Sequence, residues 1–174
     1  MKAKAFLILF PLIMTLVGPT AAEEAISLEQ PTAFWYAAMA FSGGYDQMAG
    51  NIQTFVQEFF KQGLAPRGAL LGVYYNDLRQ VKQEDLKWAI AFPIAAEAAV
   101  TPPLVKEEFK ACRAVTCLHV GPYADLGKSY DRVFAYLEAK GLQVRWPVFD
   151  HYLDNPMQVK PEALRTRIVV PVID

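Results

Sequence analysis

Basic runs and common catalytic motifs are both missing from this chain of 174 residues. Its 17 Lys and Arg face 18 Asp and Glu, which leaves a formal net charge of −1. Nucleic-acid binding needs a concentrated basic surface that neutralises phosphates, so no nucleic-acid partner is predicted. The chain also has no serine elbow, cysteine–histidine signature or phosphate-binding loop. We therefore predict no cofactor, and we leave catalysis open, with a non-enzyme favoured.

Cysteine and histidine are scarce, with two residues of each type. A continuous strand would hold Cys112 and Cys117 about 16 Å apart, whereas a disulfide needs Cα atoms within about 7 Å. Two buried thiols are therefore slightly favoured over a bridge, which would require a loop at Cys112. Of the histidines, His119 is distant in sequence, and His151 points away from its neighbour Asp150 because strand side chains alternate. No metal site is predicted.

Only one long hydrophobic run exists, the 13 residues Ala5–Val17, and Pro11 interrupts it. Two lysines precede it and small residues follow, which is the order of a secretory signal peptide. A membrane-spanning helix needs about 17–25 apolar residues. We predict a signal peptide over 1–22, cleaved after Ala22, and a periplasmic or secreted mature chain over 23–174 without a stable membrane span. A retained anchor is the alternative.

The rest of the chain repeats itself at an offset of 78 residues. With that shift FSGGYDQMAGNIQTFVQEFFKQGL, from Phe41, aligns without a gap to HVGPYADLGKSYDRVFAYLEAKGL, from His119. The register continues over about fifty residues. Matching pairs include Gly43 with Gly121, Tyr45 with Tyr123, Gly63 with Gly141, and Tyr74 with Tyr152. We predict an internal duplication, with repeat one at about 33–94 and repeat two at about 111–172.

Each repeat reads as β-α-β-β. Both predicted helices carry an apolar stripe at i, i+4, i+7, i+8 and i+11 and stop at a glycine. The stripes are Met48, Ile52, Phe55, Val56 and Phe59, then Leu126, Tyr130, Val133, Phe134 and Leu137. The predicted strands are Ala33–Ser42, Arg67–Asn76, Lys87–Pro93, Arg113–Val120, Arg145–Asp154 and Arg165–Val172. The fold class is α+β, with one antiparallel-rich sheet, two helices on one face and pseudo-twofold symmetry between the halves.

One strand places an acid among apolar side chains. In Arg145–Asp154, alternation puts Asp150 on the face that also carries Trp146, Val148 and Tyr152. An acid there is costly unless it is paired or hydrogen-bonded. At the repeat offset, Gly68 and Gly72 stand where the second half has Trp146 and Asp150. We predict a cleft with an acid on its wall. The alternative is a structural Asp bonded to a tyrosine hydroxyl, with the glycines serving a bulge.

Three segments of the second half carry a family resemblance. HVGPYADLGKSYDRVFAYLEAKGL, then DHYLDNP at Asp150–Pro156, then the closing PEALRTRIVVPV resemble the GyrI-like small-molecule-binding domain. The same module serves as the effector-binding domain of bacterial multidrug-responsive regulators. Family members commonly carry a Glu where this chain has Asp150, facing cationic, apolar ligands. The resemblance implies a free-standing, exported version of that domain, with a shorter acid.

The expected function is an exported protein that holds an amphipathic small molecule, a cation among the candidates, in a cleft between the halves. The predicted ligand-binding residues are Asp150, Trp146, Tyr152, Tyr74, Tyr123, Tyr45, Gly72, Gly68, Phe41 and His119. Aromatic faces attract cations, and a carboxylate adds charge-assisted attraction. Two alternatives stay open. One is a hydrolase of a reactive small molecule with Asp150 as general base, and the other is haem or tetrapyrrole binding as in SOUL-type proteins.

Overall fold

The computed structural model describes residues 25–77 and 79–173. The predicted signal peptide, 1–22, lies outside the described residues, so its cleavage and the export of the chain stay predictions. Within the described part, neither helix is long and apolar enough to cross a membrane.

The described residues form nine strands and two α-helices. They are β1 (Ile26–Glu29), β2 (Phe34–Ser42), α1 (Met48–Lys61), β3 (Leu70–Tyr74), β4 (Lys87–Ile94), β5 (Val105–Phe109), β6 (Ala114–Val120), α2 (Leu126–Ala139), β7 (Gln143–Val144), β8 (Val148–Tyr152) and β9 (Arg165–Ile173). The strands form one sheet in the order β1-β6-β9-β8-β3-β4-β2-β5, with β7 beside β9. Every pairing is antiparallel. The predicted α+β class is confirmed.

Two edge strands and one interruption differ from the sequence-based expectation. β1 pairs with β6, and β5 pairs with β2, although neither segment is among the six predicted strands. The single strand predicted over Arg145–Asp154 is broken between β7 and β8, and the Arg145 amide there donates instead to the Pro171 carbonyl. Pro147 has no amide proton for a ladder, so the chain leaves the sheet before β8 begins.

Both helices pack through one side of their apolar stripe. Phe55 and Phe59 of α1 are fully buried with β2 and β4, and Val133 and Leu137 of α2 are buried with β6 and β9. Each helix ends at a glycine with positive φ, +70° at Gly63 and +63° at Gly141, a backbone conformation that favours glycine. Burial of these rings and branched chains contributes about 1.5–3 kcal/mol each before entropic costs.

The helix-free face of the sheet has a core of its own. The ring of Phe34 stacks on Phe109 at 4.9 Å and meets Phe149 edge-on at 6.4 Å, measured between centroids. Because β2 and β8 are separated by β3 and β4, this contact requires a strongly curled sheet. Cys112 lies in this core and Cys117 lies in the helix-side core, and both are buried.

The two halves meet at the central strand pair, β3 and β8. Gly72 lies directly opposite Asp150 in the ladder, and the two positions are equivalent at the offset of 78 residues that also separates Tyr74 from Tyr152. The pseudo-twofold axis therefore passes between Gly72 and Asp150. α1 and α2 begin and end at positions related by the same offset. An origin by duplication stays a prediction.

Candidate functional site

A cavity of about 890 Å³ opens between the two helices above the central strand pair. The helix positions that do not enter the cores line its walls: Met48, Ile52 and Val56 from α1, and Leu126, Tyr130 and Phe134 from α2. β3 and β8 form its floor. A mostly apolar concavity of this size, with few polar groups, is typical of small-molecule sites. The curled sheet and the two helices thus leave a gap where the halves meet.

Asp150 is the acid on the floor, and its side chain is almost completely buried at 1% exposure. The hydroxyl of Tyr130, from α2, donates to the Asp150 carboxyl oxygen Oδ1 at 2.7 Å. The hydroxyl of Tyr74, from β3, is a second polar group near the carboxyl that lowers the pKa of Asp150. Burial raises the pKa of Asp150 to about 7, although both hydroxyl groups act in the opposite direction. The carboxyl therefore stands between its neutral and charged forms near neutral pH.

Four tyrosines surround the acid in two related pairs. The hydroxyls of Tyr74 and Tyr152 are hydrogen-bonded to each other at 2.9 Å. Tyr45 meets Tyr74 edge-on at 5.8 Å, and Tyr123 meets Tyr152 at 5.3 Å, between ring centroids. Burial raises the pKa of all four, so their hydroxyls stay neutral. The four rings form an aromatic wall, in which the hydroxyls of Tyr74 and Tyr152 are held by their shared hydrogen bond.

Gly72 makes room for this arrangement. A Cβ atom at Gly72 would lie 2.7 Å from the Tyr74 hydroxyl oxygen and 3.1 Å from that of Tyr152. Both hydroxyls therefore reach over the strand where a side chain would stand. The equivalent position in the other half holds Asp150, so one half supplies the acid and the other supplies the space beside it. Gly68 has a different neighbour, because its Cβ would lie 3.1 Å from Pro93.

The rim of the cavity is acidic. Four of the lining residues are aspartates: Asp77, Asp131, Asp150 and Asp154. Among the described lining residues, one is basic, Arg79. The guanidinium of Arg79 lies 3.4 Å above the Phe134 ring centre and pairs with Asp77 at 2.5 Å. Asp154 accepts hydrogen bonds from Arg165. These ion pairs hold the pKa of Asp77 and Asp154 below the ordinary value.

Most of the residues predicted for the site meet at this cavity. Tyr45, Gly68, Tyr74, Tyr123, Trp146, Asp150 and Tyr152 line it, and Gly72 lies beneath the tyrosine hydroxyls. Phe41 and His119 lie outside the lining. Phe41 packs on Trp88 at 4.9 Å, and His119 is buried against Ser129, with Nδ1 2.9 Å from the hydroxyl oxygen. β2 and β6 are each two strands from the central pair, which is too far for either side chain to line the cavity.

Tyr130 contacts the acid, although it is not among the residues predicted for the site. Its place in the apolar stripe of α2 favoured a core role, yet it bonds directly to Asp150. The sequence did contain a signal for this role. At the repeat offset, α1 has Ile52 where α2 has Tyr130, so a hydroxyl replaces an aliphatic side chain in the half that carries the acid. The rim residues Asp77, Arg79 and Asp131 had no signal, because they come from a turn and an exposed helix face.

The histidines do not approach the acid. His151 lies on the opposite face of β8, edge-on to Phe34 at 6.0 Å, as strand alternation predicts. Burial is the main cause that lowers the pKa of His151 to about 4, so it is neutral at physiological pH. Among residues 25–77 and 79–173, no group of three or more His, Cys, Asp or Glu side chains could hold a metal ion.

Comparison with known proteins identifies a matching family, one curated relative of part of the chain and solved structures of the same fold. The family model of the GyrI-like small molecule binding domain matches residues 24–173. A DNA gyrase inhibitor from Edwardsiella piscicida is 40% identical over 68 residues, which span 38% of this chain and 43% of that protein. This chain thus matches less than half the length of that curated relative.

Solved structures share the fold at low identity. The crystal structure of the EcmrR C-terminal domain superposes with a TM-score of 0.76 at 19% identity, covering 87% of this chain and 98% of that domain. SAV2435, solved bound to tetraphenylphosphonium, superposes with a TM-score of 0.63 at 17% identity, covering 86% of this chain and 94% of that one.

Replacing Gly72 with alanine should destabilise the protein by about 1–3 kcal/mol, because the new methyl group displaces the Tyr74 and Tyr152 hydroxyls. Urea unfolding measures the change. Gly50→Ala is the matched control, since Gly50 is exposed in α1 and its Cβ would meet nothing within 4 Å. That control should be neutral or stabilising by up to about 1 kcal/mol. Equal stability of the two variants would contradict the close approach.

The raised pKa of Asp150 should appear as a pH dependence of stability. Burial raises the pKa of Asp150 from its usual 3.8 to about 7. The folded chain therefore binds the carboxyl proton more tightly than the unfolded chain does. The group therefore stabilises the fold fully below about pH 4, and that contribution falls as pH rises toward 7. The difference in unfolding free energy between wild type and Asp150→Asn should change by roughly 3–5 kcal/mol over that interval.

Urea unfolding of both proteins at a series of pH values measures this difference. Acids with lowered pKa, such as Asp154 beside Arg165 and Glu29 with its hydrogen bonds from Ser27 and Thr116, act with the opposite sign. They are present in both proteins and cancel in the difference. If the difference in unfolding free energy between the two proteins did not change with pH, the raised pKa of Asp150 would be ruled out.

Proposed function

This chain belongs to the GyrI-like small molecule binding domain family, and on that premise we propose that it binds an amphipathic organic cation in the cavity above β3 and β8. The buried carboxyl of Asp150 carries the proposal. It is the charge on the cavity floor, and four tyrosine rings and Trp146 surround it. An apolar cation gains from both features, since aromatic faces and a carboxylate attract it together.

The state of the acid favours a cation over a neutral guest of the same shape. Burial holds the pKa of Asp150 at about 7, so ionising it near neutral pH costs little. A bound cation then replaces the missing solvation of the carboxylate. At an effective dielectric constant of 20, two unit charges 4 Å apart attract by about 4 kcal/mol. This term strengthens binding only when the ligand is positive.

The rim supports the same ligand charge. Asp77, Asp131 and Asp154 stand at the opening, with Arg79 and Arg165 offsetting part of their charge. A surface of net negative charge raises the local concentration of cations and speeds their entry at low ionic strength. Arg79 already lies on the Phe134 ring as a cation on an aromatic face. The aromatic wall can therefore make the same cation–π contact with a ligand that Phe134 makes with Arg79.

We further propose that the chain is an exported binding protein formed by duplication of a β-α-β-β unit. The basic, apolar and small segments at the start of the sequence support export. The common offset of helices, central strands and tyrosine pairs supports duplication. In this arrangement the aromatic wall is present in both halves, while the acid is present in one.

Tetraphenylphosphonium is the first probe, because a structural relative was solved with it bound. We expect it to bind this protein, and Asp150→Asn should weaken its affinity by at least about tenfold, since the amide cannot become negative. Affinity for the wild type should rise with pH through the Asp150 pKa of about 7 and become pH-independent in the variant. Isothermal titration calorimetry across that range measures both effects.

Asp46→Asn is the matched control, because Asp46 is an exposed carboxylate outside the cavity lining. It should leave the affinity within about twofold of the wild type. Equal affinity of the Asp150→Asn variant and the wild type would sink the electrostatic part of the proposal. No binding of tetraphenylphosphonium at any pH would remove this class of cation.

A further inference from the structure

We propose that the opening of the cavity contains a second cation subsite, formed by the Asp77 carboxylate and the face of the Phe134 ring, which takes planar guanidinium or amidinium groups. In the structure the side chain of Arg79 fills this subsite. The inference rests on the proposed function, because the subsite opens into the same cavity, but its evidence does not involve Asp150. The expected ligand carries its planar cation on an aromatic body.

Two partners hold the guanidinium of Arg79. Its central carbon lies 3.4 Å from the centre of the Phe134 ring. Its Nε donates to the two Asp77 carboxylate oxygens at 2.9 and 3.1 Å, and its Nη2 donates to Oδ2 at 2.5 Å. A planar guanidinium can form such forked hydrogen bonds and stack on an aromatic ring at the same time, which a compact ammonium group cannot. The carboxylate and the ring thus define a site for a flat cation.

Asp77 is a buried acid that depends on this cation. It is 7% exposed, and in the described part of the chain the hydrogen bonds to its carboxylate come from the amide and the guanidinium of Arg79. A buried carboxylate is costly without a positively charged partner. Asp131, three residues before Phe134 on α2, adds a negative charge that also attracts the guanidinium. If Arg79 leaves, Asp77 therefore favours the entry of another cation.

Arg79 is the part of this arrangement that can move. It lies in the connection between β3 and β4, and 45% of its side chain is exposed. The residues of the subsite also line a second cavity of about 610 Å³, which extends along α2 to Glu138. A displaced side chain can move into this space or into solvent. The subsite therefore stands at the junction of two cavities, where a ligand can replace the resident cation.

A ligand must offer more than a planar cation to displace Arg79, because a side chain of the same chain competes at a high effective concentration. An aromatic body supplies the difference. The main cavity, which adjoins the subsite, is lined by apolar side chains such as Ile52, Val56 and Leu126, and burial of aromatic rings against them is favourable. An aryl amidinium can therefore occupy the subsite and bury its rings at once.

Removal of the resident side chain tests the subsite by itself. Arg79→Ala should lower the melting temperature, and ethylguanidinium should restore part of the loss by entering the vacated subsite. At about tenfold above its dissociation constant, the rise should be about 3–6 °C relative to sodium chloride at equal ionic strength. The double variant Asp77→Asn/Arg79→Ala should show no rescue. Arg132→Ala removes the same charge from the exposed surface of α2, outside the lining of both cavities, and should show none either.

A second measurement uses the wild type and tests displacement directly. The N–H resonance of Arg79 Nε in a nuclear magnetic resonance spectrum reports both the ion pair with Asp77 and the contact with the Phe134 ring, and its absence from Arg79→Lys assigns it. 4-Phenylbenzamidine should move this resonance toward the position of an exposed arginine. Biphenyl-4-carboxamide, which has nearly the same shape but no charge, should leave it unchanged.

Failure of the subsite and failure of the proposed function give different results. The subsite is overturned if ethylguanidinium does not rescue Arg79→Ala, if it rescues the two control variants equally, or if the amidine leaves the Arg79 resonance unchanged. Tetraphenylphosphonium binding that depends on Asp150 would then still support the proposed function. Rescue and displacement without any binding of tetraphenylphosphonium would support the subsite and remove the site at Asp150. If Arg79→Ala does not fold, the resonance of the wild type decides.

Discussion

The burial of one carboxyl group beneath tyrosine hydroxyls is the constraint on which the site depends. Asp150 lies on a central strand, where solvent cannot reach it, and an unpartnered acid there would be strongly destabilising. The Tyr130 hydroxyl donates a hydrogen bond to it, and the hydroxyls of Tyr74 and Tyr152, which are hydrogen-bonded to each other, complete its polar surroundings. Each of these side chains is also a wall of the cavity, so the groups that stabilise the acid and the groups that contact a ligand are the same.

The symmetry of the fold explains why this constraint can be met at the centre. Equivalent strands β3 and β8 pair across the pseudo-twofold axis, which brings Gly72 opposite Asp150. A side chain on both strands would crowd this point, and an acid on both would place two buried charges together. One half therefore keeps the acid while the other keeps no side chain. The tyrosine pairs, which are apolar at the ring and polar at the tip, can be shared by both halves.

Much of this arrangement could be predicted from the sequence. The apolar stripes and terminal glycines predict both helices within a few residues, and the 78-residue offset alone pairs Asp150 with Gly72. β1 and β5 were missed because edge strands of four and five residues are too short to show a clear alternation of apolar and polar residues. Phe41 and His119 were assigned to the site by symmetry alone, and the strand order places both two strands from the cavity.

Side-chain partners and rim geometry lie beyond what a pattern can supply. Val133 and Tyr130 belong to the same apolar stripe of α2, yet Val133 lies in the core and Tyr130 contacts Asp150. Which residue faces the cavity depends on how α2 is oriented over the sheet rather than on residue type. The pairing of Arg79 with Phe134 joins a turn of one half to a helix of the other. Such contacts depend on the final packing of the two halves, which local periodicity does not encode.

Infrared difference spectroscopy of ligand binding tests the central claim most directly, because the carbonyl stretch of a protonated carboxyl group is separate from that of a carboxylate. At about pH 6, below the Asp150 pKa of about 7, the wild type should show a protonated-carboxyl band that disappears when tetraphenylphosphonium binds. The band should be absent from Asp150→Asn. A band that persists after the cation binds, or one that the substitution does not remove, would contradict the account.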